Sequence, residues 1–147
     1  MDRNLIAEQF SARMAGRLDQ QKIDTAVRAI RTTTTAYPAS GSVASLIQYL
    51  TVEVQIQNGK EFNGVGGPGA TSPFGAAMYG YVHTEDLSRL YAKTEMYEIL
   101  VTSMYASIMF FDGDANFLGY FGSGALTIES GSAEGAVGVY GGKGSWS

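Results

Sequence analysis

The sequence predicts an all-β body, preceded by an N-terminal segment that is either an amphipathic helix or disordered. Two observations support this division of the 147 residues. Eighteen of the nineteen glycines lie at or after Gly41, among short runs of aromatic and β-branched residues. The period of the apolar residues also changes, from about 3.6 in the first thirty residues to about 2 from Val43 onward. We therefore assign residues 1–41 to the N-terminal segment and residues 42–147 to one β domain, a sandwich or a barrel.

The composition excludes several classes of protein. A hydrophobic content of 45% and a charged content of 16% indicate a globular chain that buries a core. The absence of cysteine excludes disulfides, a thiol nucleophile and zinc–thiolate sites. Residues 1–31 carry six basic and four acidic side chains, and residues 32–147 carry four basic and ten acidic ones. An acidic body with scattered lysines argues against nucleic acid as a partner, because phosphate contacts need clustered Lys and Arg.

The N-terminal segment has a helical pattern over residues 3–31. Ile6, Phe10, Met14 and Leu18 recur every fourth residue, and Gly16 weakens the middle of the pattern. One interpretation is a leader that packs loosely or not at all, and the other is a basic helix that binds a membrane or a partner. The four threonines at 32–35 end the pattern, and residues 38–42 are expected to form a linker.

The body begins with the strongest strand pattern of the chain. Apolar and polar residues alternate over residues 50–57, which predicts that Val54 is buried and Glu53 exposed. Asn58-Gly59 then predicts a hairpin with a type I′ turn. Residues 60–65 are expected to return antiparallel, and a further strand is expected near residues 76–82.

The second half of the body contains one helix signal and several strand signals. Residues 85–91 are expected to form a short helix with Thr84 as its N-cap. Residues 95–111 are too long for one comfortable strand, so two strands or one bent strand are expected. Residues 112–116 form a turn pattern, and short strands are expected at 117–121, 125–129 and 136–140.

Two motifs resemble ligand-binding signatures. Residues 64–69 match G-x-G-x-x-G, but no helix pattern follows to present free N–H groups to a phosphate. Asp112, Asp114 and Asn116 match the first ligands of a calcium loop, but Phe117 replaces its glycine and Ser123 its final acid. We therefore predict no metal and no cofactor, and interpret both segments as turns.

Catalytic candidates are few. His83 is the single histidine, and it has no nucleophile or orienting acid at a recognisable spacing. A hydrolase of lipid or glycan would need two converging carboxylates. Five glutamates could supply them: Glu53, Glu61, Glu95, Glu98 and Glu129. The aromatic residues and methionines could instead line an interior ligand cavity of the lipocalin or avidin type, or fill the interior completely.

The body resembles the virulence-associated protein (Vap) family of actinobacterial intracellular pathogens of the rhodococcal type. The matching segments are Phe62-Asn63-Gly64-Val65-Gly66-Gly67, Thr84-Glu85-Asp86-Leu87-Ser88-Arg89-Leu90-Tyr91-Ala92, Phe110-Phe111-Asp112-Gly113 and Gly144-Ser145-Trp146-Ser147. Together they cover the chain from about Leu50 to its end.

The resemblance implies a compact, closed, eight-stranded antiparallel β-barrel of Greek-key type with one short helix. It also implies a monomer that is secreted after removal of a signal peptide. The secreted protein is then either released or associated with the cell surface. The family's role is to support survival inside host macrophages, with the endolysosomal membrane or a host protein as partner. The family has no agreed catalytic residues, so we expect a non-enzymatic protein. The alternative is a barrel that binds a small ligand, and the third hypothesis is a hydrolase of lipid or glycan.

Charge adds one expectation about the membrane. The sequence pI of about 4.9 lies close to the pH of a mature lysosome. Carboxylates have unperturbed pKa values near 4, so acidification begins to neutralise the acidic body while the basic segment keeps its charge. If the protein associates with a membrane, this association is therefore expected to strengthen at low pH and to depend on residues 1–31. We also expect the fold to survive that pH.

Overall fold

The computed structural model describes residues 3–70 and 72–147. Two helices, α1 (Arg3–Met14) and α2 (Gln20–Thr32), precede the strands. The eight strands are β1 (Ala36–Ser45), β2 (Leu50–Ile56), β3 (Glu61–Gly66), β4 (Phe74–His83), β5 (Met96–Val101), β6 (Ala106–Phe111), β7 (Phe117–Ser130) and β8 (Gly138–Trp146). A helix α3 (Leu87–Lys93) lies between β4 and β5, and one helical turn, α4 (Ala133–Ala136), lies between β7 and β8.

The strands form a closed antiparallel barrel with the order β1-β2-β3-β8-β5-β6-β7-β4. The expected fold class is therefore confirmed. Because the strands alternate in direction, the β1–β2, β3–β4, β5–β6 and β7–β8 connections all lie at one end of the barrel. The β2–β3, β4–β5 and β6–β7 connections lie at the other end. This closure leaves none of the eight described strands with an unpaired edge.

The interior of the barrel is packed with apolar side chains. The alternation in β2 is confirmed: Leu50, Val52, Val54 and Ile56 are at most 2% exposed, and Glu53 faces solvent. Phe62 lies within an aromatic cluster at one end of this core. Its ring centroid is 5.0 Å from that of Phe110, 5.5 Å from Trp146 and 5.6 Å from Tyr97.

The two N-terminal helices pack against the outside of the barrel and form a second core. Their apolar faces cover the outward side chains of β6 and β7, where Phe10 stacks 6.1 Å from Phe111. The Arg13 Nε donates to the Glu98 carboxylate of β5 at 2.8 Å, and both side chains are nearly buried. The interpretation of a loosely packed leader is therefore wrong. The apolar stripe that suggested a free helix is covered by the barrel itself.

The boundary between the two regions also differs from the prediction. Gly16 adopts a positive φ of 77°, which ends the first helical run and divides the expected single helix into two. The expected linker at residues 38–42 lies inside β1, which begins at Ala36 and pairs with β2 and β4. The predicted boundary at residues 41 and 42 thus falls within a strand of the barrel.

Several local predictions are refined. Residues 56–60 form the expected hairpin, but only Asn58 has a positive φ, so the turn is not type I′. Asp86 rather than Thr84 caps α3, since its side chain accepts from the Arg89 N–H. The Thr84 hydroxyl instead donates to the Leu118 carbonyl.

The sequence predicted too many strands after Phe117. The two short strands expected at 117–121 and 125–129 form the single long strand β7, which bends through register shifts against β4 and β6. The strand expected at 136–140 begins at Gly138 and extends to Trp146. The one-turn helix α4 was not predicted, because four residues carry no periodic signal.

Candidate functional site

The principal concave surface lies outside the barrel, where α1 meets the outer faces of β2, β1, β4 and β7. This groove has a volume of about 780 Å³. Tyr79 and Tyr81 project from β4 and are each more than half exposed. Gly80 belongs to its floor, and a Cβ there would lie 1.9 Å from the Gly122 carbonyl oxygen. The close approach of β4 and β7 at this point excludes any larger residue.

Arg3 and His83 form the polar end of the groove. Arg3 donates from one guanidinium nitrogen to the Arg31 and Thr33 carbonyls at 3.2 and 2.9 Å, which fixes it at the C-terminus of α2. The His83 ring stacks on Tyr120 with centroids 4.5 Å apart and planes 10° from parallel. Its Nδ1 atom is buried and has no hydrogen-bond partner among the described residues.

The environment of His83 favours its neutral form. Burial lowers the pKa of His83 below its usual value of 6.5, and the positive charge of Arg3 lowers it further. A neutral imidazole can accept or donate one hydrogen bond to a ligand in the groove. No acid is placed to orient it, so the geometry does not form a catalytic dyad or triad among the described residues.

This pKa shift predicts a loss of stability in acid. The folded state binds the proton less readily than the unfolded state, so the contribution of His83 is complete above pH 6.5 and declines as the pH falls toward its folded pKa. Thermal unfolding between pH 7.5 and 5 should therefore show a smaller decrease in Tm for His83→Phe than for the wild-type protein. Phenylalanine keeps a ring against Tyr120 and removes the titration. Parallel curves for the two proteins would contradict the assignment.

The glycine-rich string does not form a phosphate site of the dinucleotide type. Gly64 and Gly66 lie in β3, and the next element after the loop is the strand β4. A Cβ on Gly66 would lie 2.1 Å from the Gly141 carbonyl oxygen, and this close strand approach accounts for the glycine. The glycines of this string that lie in β3 therefore allow β3 to pair closely with β8.

The aspartate-rich segment is a turn, as the sequence indicates. One carboxylate oxygen of Asp112 accepts from the backbone N–H groups of Asp114 and Asn116, both at 2.9 Å. Its other oxygen accepts from the Asn116 side chain at 3.0 Å. Burial alone would raise the pKa of Asp112, but these hydrogen bonds outweigh it and hold the pKa below its usual value. Over residues 3–70 and 72–147, no three acidic or histidine side chains converge on a metal-sized site.

The five glutamates do not converge on one site. Glu53 and Glu61 line one small outer cavity of about 240 Å³, which is the only pair among them to do so in the described cavities. Glu98 is held by Arg13, Glu95 lies beside the β6–β7 turn, and Glu129 is exposed near the end of β7. Glu53 is exposed to solvent, so this cavity lacks the enclosure that shields the catalytic groups of many enzymes from bulk water.

Sequence reasoning found one groove residue and missed the others. It singled out His83, which the fold places at the outer end of β4. Arg3 lies 80 residues away in the chain, and only the docking of α1 brings it to the groove. Tyr79 and Tyr81 alternate with the buried Met78 and Val82, so their period of two was an available signal for the outer face.

The fold and surface define a class: a closed barrel whose interior is packed with apolar side chains, with helices docked on its wall and a groove on its outer face. The chain belongs to the Rhodococcus equi virulence-associated protein family, whose model matches residues 1–147. The virulence-associated protein VapB of Rhodococcus equi is 32% identical, with 77% of this chain and 96% of VapB covered and a TM-score of 0.66. VapD of the same organism is 28% identical over 77% of this chain and 97% of VapD, with a TM-score of 0.65. Comparison with curated proteins gives no match.

Proposed function

We propose that this chain is a secreted, non-enzymatic protein that supports survival of the bacterium inside host macrophages. It acts through its surface, at the endolysosomal membrane or on a host protein. Membership of the virulence-associated family supports the biological role. Both solved relatives are described as coming from an intracellular pathogen.

The observation that favours a surface mechanism is the filled barrel. The rings of Phe62, Phe110 and Trp146 occupy the interior at contact distance, and the residues of β2 facing them are almost fully buried. An eight-stranded barrel holds a ligand only when its interior side chains leave space for one. The lipocalin-like alternative is therefore disfavoured, and the scattered glutamates give no support to a hydrolase.

Deletion of the gene, followed by complementation, tests the biological role. We expect the deletion strain to decline in macrophages and the wild-type gene to restore its growth. A strain complemented with a double variant of the small outer cavity, Glu53→Gln with Glu61→Gln, should grow like the wild type, because no hydrolysis is needed. Normal growth of the deletion strain would refute the role, and failure of the double variant would favour a hydrolase.

The outer groove supports a second candidate, the binding of a small ligand at the surface. Two half-exposed tyrosines, Arg3 and the His83 ring line it. A ligand that binds only the folded protein raises its Tm. A small-molecule screen by thermal shift should then find compounds that stabilise the wild type and not Tyr81→Ala. Equal stabilisation of both proteins would exclude the groove.

A further inference from the structure

One end of the barrel presents a nearly uncharged surface with exposed apolar side chains. We define this loop end as the connections at 46–49, 67–70, 72–73, 102–105 and 131–137. Five of its large apolar side chains are about half or more exposed, up to 78% for Met104: Leu46, Ile47, Tyr49, Met104 and Val137. Single exposed apolar residues are ordinary, but several on neighbouring loops mark an interaction surface.

The loops of this end contact one another and form one continuous surface. The Gly69 N–H donates to the Ile47 carbonyl at 3.2 Å, which joins the β1–β2 and β3–β4 connections. Gly131 packs so closely on Pro73 that a Cβ would lie 2.5 Å from its carbonyl oxygen. The β5–β8 pairing extends to the ends of both strands and places the β5–β6 and β7–β8 connections side by side. The connections at this end of the barrel are therefore neighbours of one another.

Charge is distributed unequally along the barrel axis. The loop end contains one charged side chain, Glu134. The connections at the opposite end contain eight: Lys60, Glu85, Asp86, Arg89, Lys93, Glu95, Asp112 and Asp114. This difference determines which end can leave water. Dehydrating the charged end would cost much free energy, whereas dehydrating the loop end costs little.

We propose that the loop end docks on the neutral interface of a phospholipid bilayer. This inference rests on the proposed function and names the surface through which the protein would act. Aliphatic tips and an amphipathic tyrosine suit the boundary between headgroups and acyl chains. The absence of Lys and Arg gives no preference for anionic lipid.

The same composition disfavours a protein receptor. Protein interfaces concentrate their binding energy in Trp, Tyr and Arg within a polar rim. Of these three residue types the loop end has only Tyr49 and Tyr105, and Trp146 lies in the core at the opposite end. Each of the eight described strands is also paired on both sides, so an extended peptide has no strand edge there to which it could add.

Flotation of the full chain with phosphatidylcholine vesicles tests the proposal. The wild-type protein should float with the vesicles. For the double variant Ile47→Asp with Met104→Asp, the floating fraction should fall at least about tenfold, because two charges must then enter the interface. A matched control, Ser88→Asp with Ala92→Asp, places the same two charges on exposed positions of α3 at the opposite end of the barrel and should float like the wild type. Unchanged Tm values for the Ile47/Met104 variant would show that its fold is intact.

The remaining outcomes overturn the inference. They are a wild-type protein that stays in the soluble fraction, a double variant that floats equally well, or flotation that requires phosphatidylserine. Binding to macrophage membranes that is abolished by protease treatment, without binding to pure lipid, would indicate a protein receptor.

None of these results depends on the gene-deletion experiment. Complementation of growth by the wild-type gene would leave the proposed function standing even if lipid docking failed.

Discussion

Replacement of Val54 by aspartate is expected to remove most of the stability of the fold. Val54 lies in the middle of β2, fully buried and paired with Gly41 of β1 and Phe62 of β3. Among the described residues no basic side chain belongs to this core, so the carboxylate would be buried without a partner. Such substitutions cost more than about 4 kcal/mol, a large part of the 5–15 kcal/mol by which domains are typically stable. Thermal and urea unfolding measure the effect.

Val65→Asp provides a matched control for that experiment. Val65 is also a strand valine, but 61% of it is exposed on the outer face of β3. The same change in chemistry should alter the free energy of unfolding by about 0.5 kcal/mol or less. If Val54→Asp unfolds at the same temperature as Val65→Asp, the assigned interior face of β2 is wrong.

Replacement of Phe10 by alanine is expected to weaken the docking of the helices and the stability of the whole chain. The Phe10 ring is fully buried between Phe111 and Phe117, at 6.1 and 6.3 Å. Loss of a buried phenylalanine costs about 3–5 kcal/mol through lost contacts and the cavity that remains. Urea unfolding should show this loss as one cooperative transition if helices and barrel unfold together.

The control for Phe10 lies on the same helix. Leu5 is 40% exposed, so Leu5→Ala should cost clearly less than Phe10→Ala. Limited proteolysis gives an independent measurement, because α2 passes into β1 with only residues 33–35 between them. Early cleavage of the wild-type protein between residues 31 and 42 would contradict the docked arrangement.

The docked helices also change the expectation for membrane binding. The sequence suggested that residues 1–31 supply a basic amphipathic helix, with binding that strengthens in acid. In the structure the apolar stripe packs on β6 and β7, and Arg13 is paired with Glu98. Helix insertion would require this second core to open. The loop end offers apolar side chains that are already exposed, so we expect it to contact lipid first.

The sequence by itself determined the strands whose side chains alternate between a buried and an exposed face. The β2 pattern identified both its interior and its exterior residues, because a period of two is visible within seven residues. The Asn58-Gly59 hairpin was equally local. For residues 95–111 the length left two strands or one bent strand open, and the structure has two. The family resemblance supplied the closure of these strands into eight-stranded Greek-key order, which strand patterns alone leave open between a sandwich and a barrel.

Tertiary structure decided where the helices lie and which side chains share a site. An amphipathic stripe shows that a helix needs an apolar partner but does not identify that partner, and here it is the outer wall of β6 and β7. The same docking brings Arg3 to His83 and forms the groove. The loop end arises in the same way: its exposed apolar residues lie up to 91 positions apart in the chain, and only antiparallel closure places their three loops at one end of the barrel.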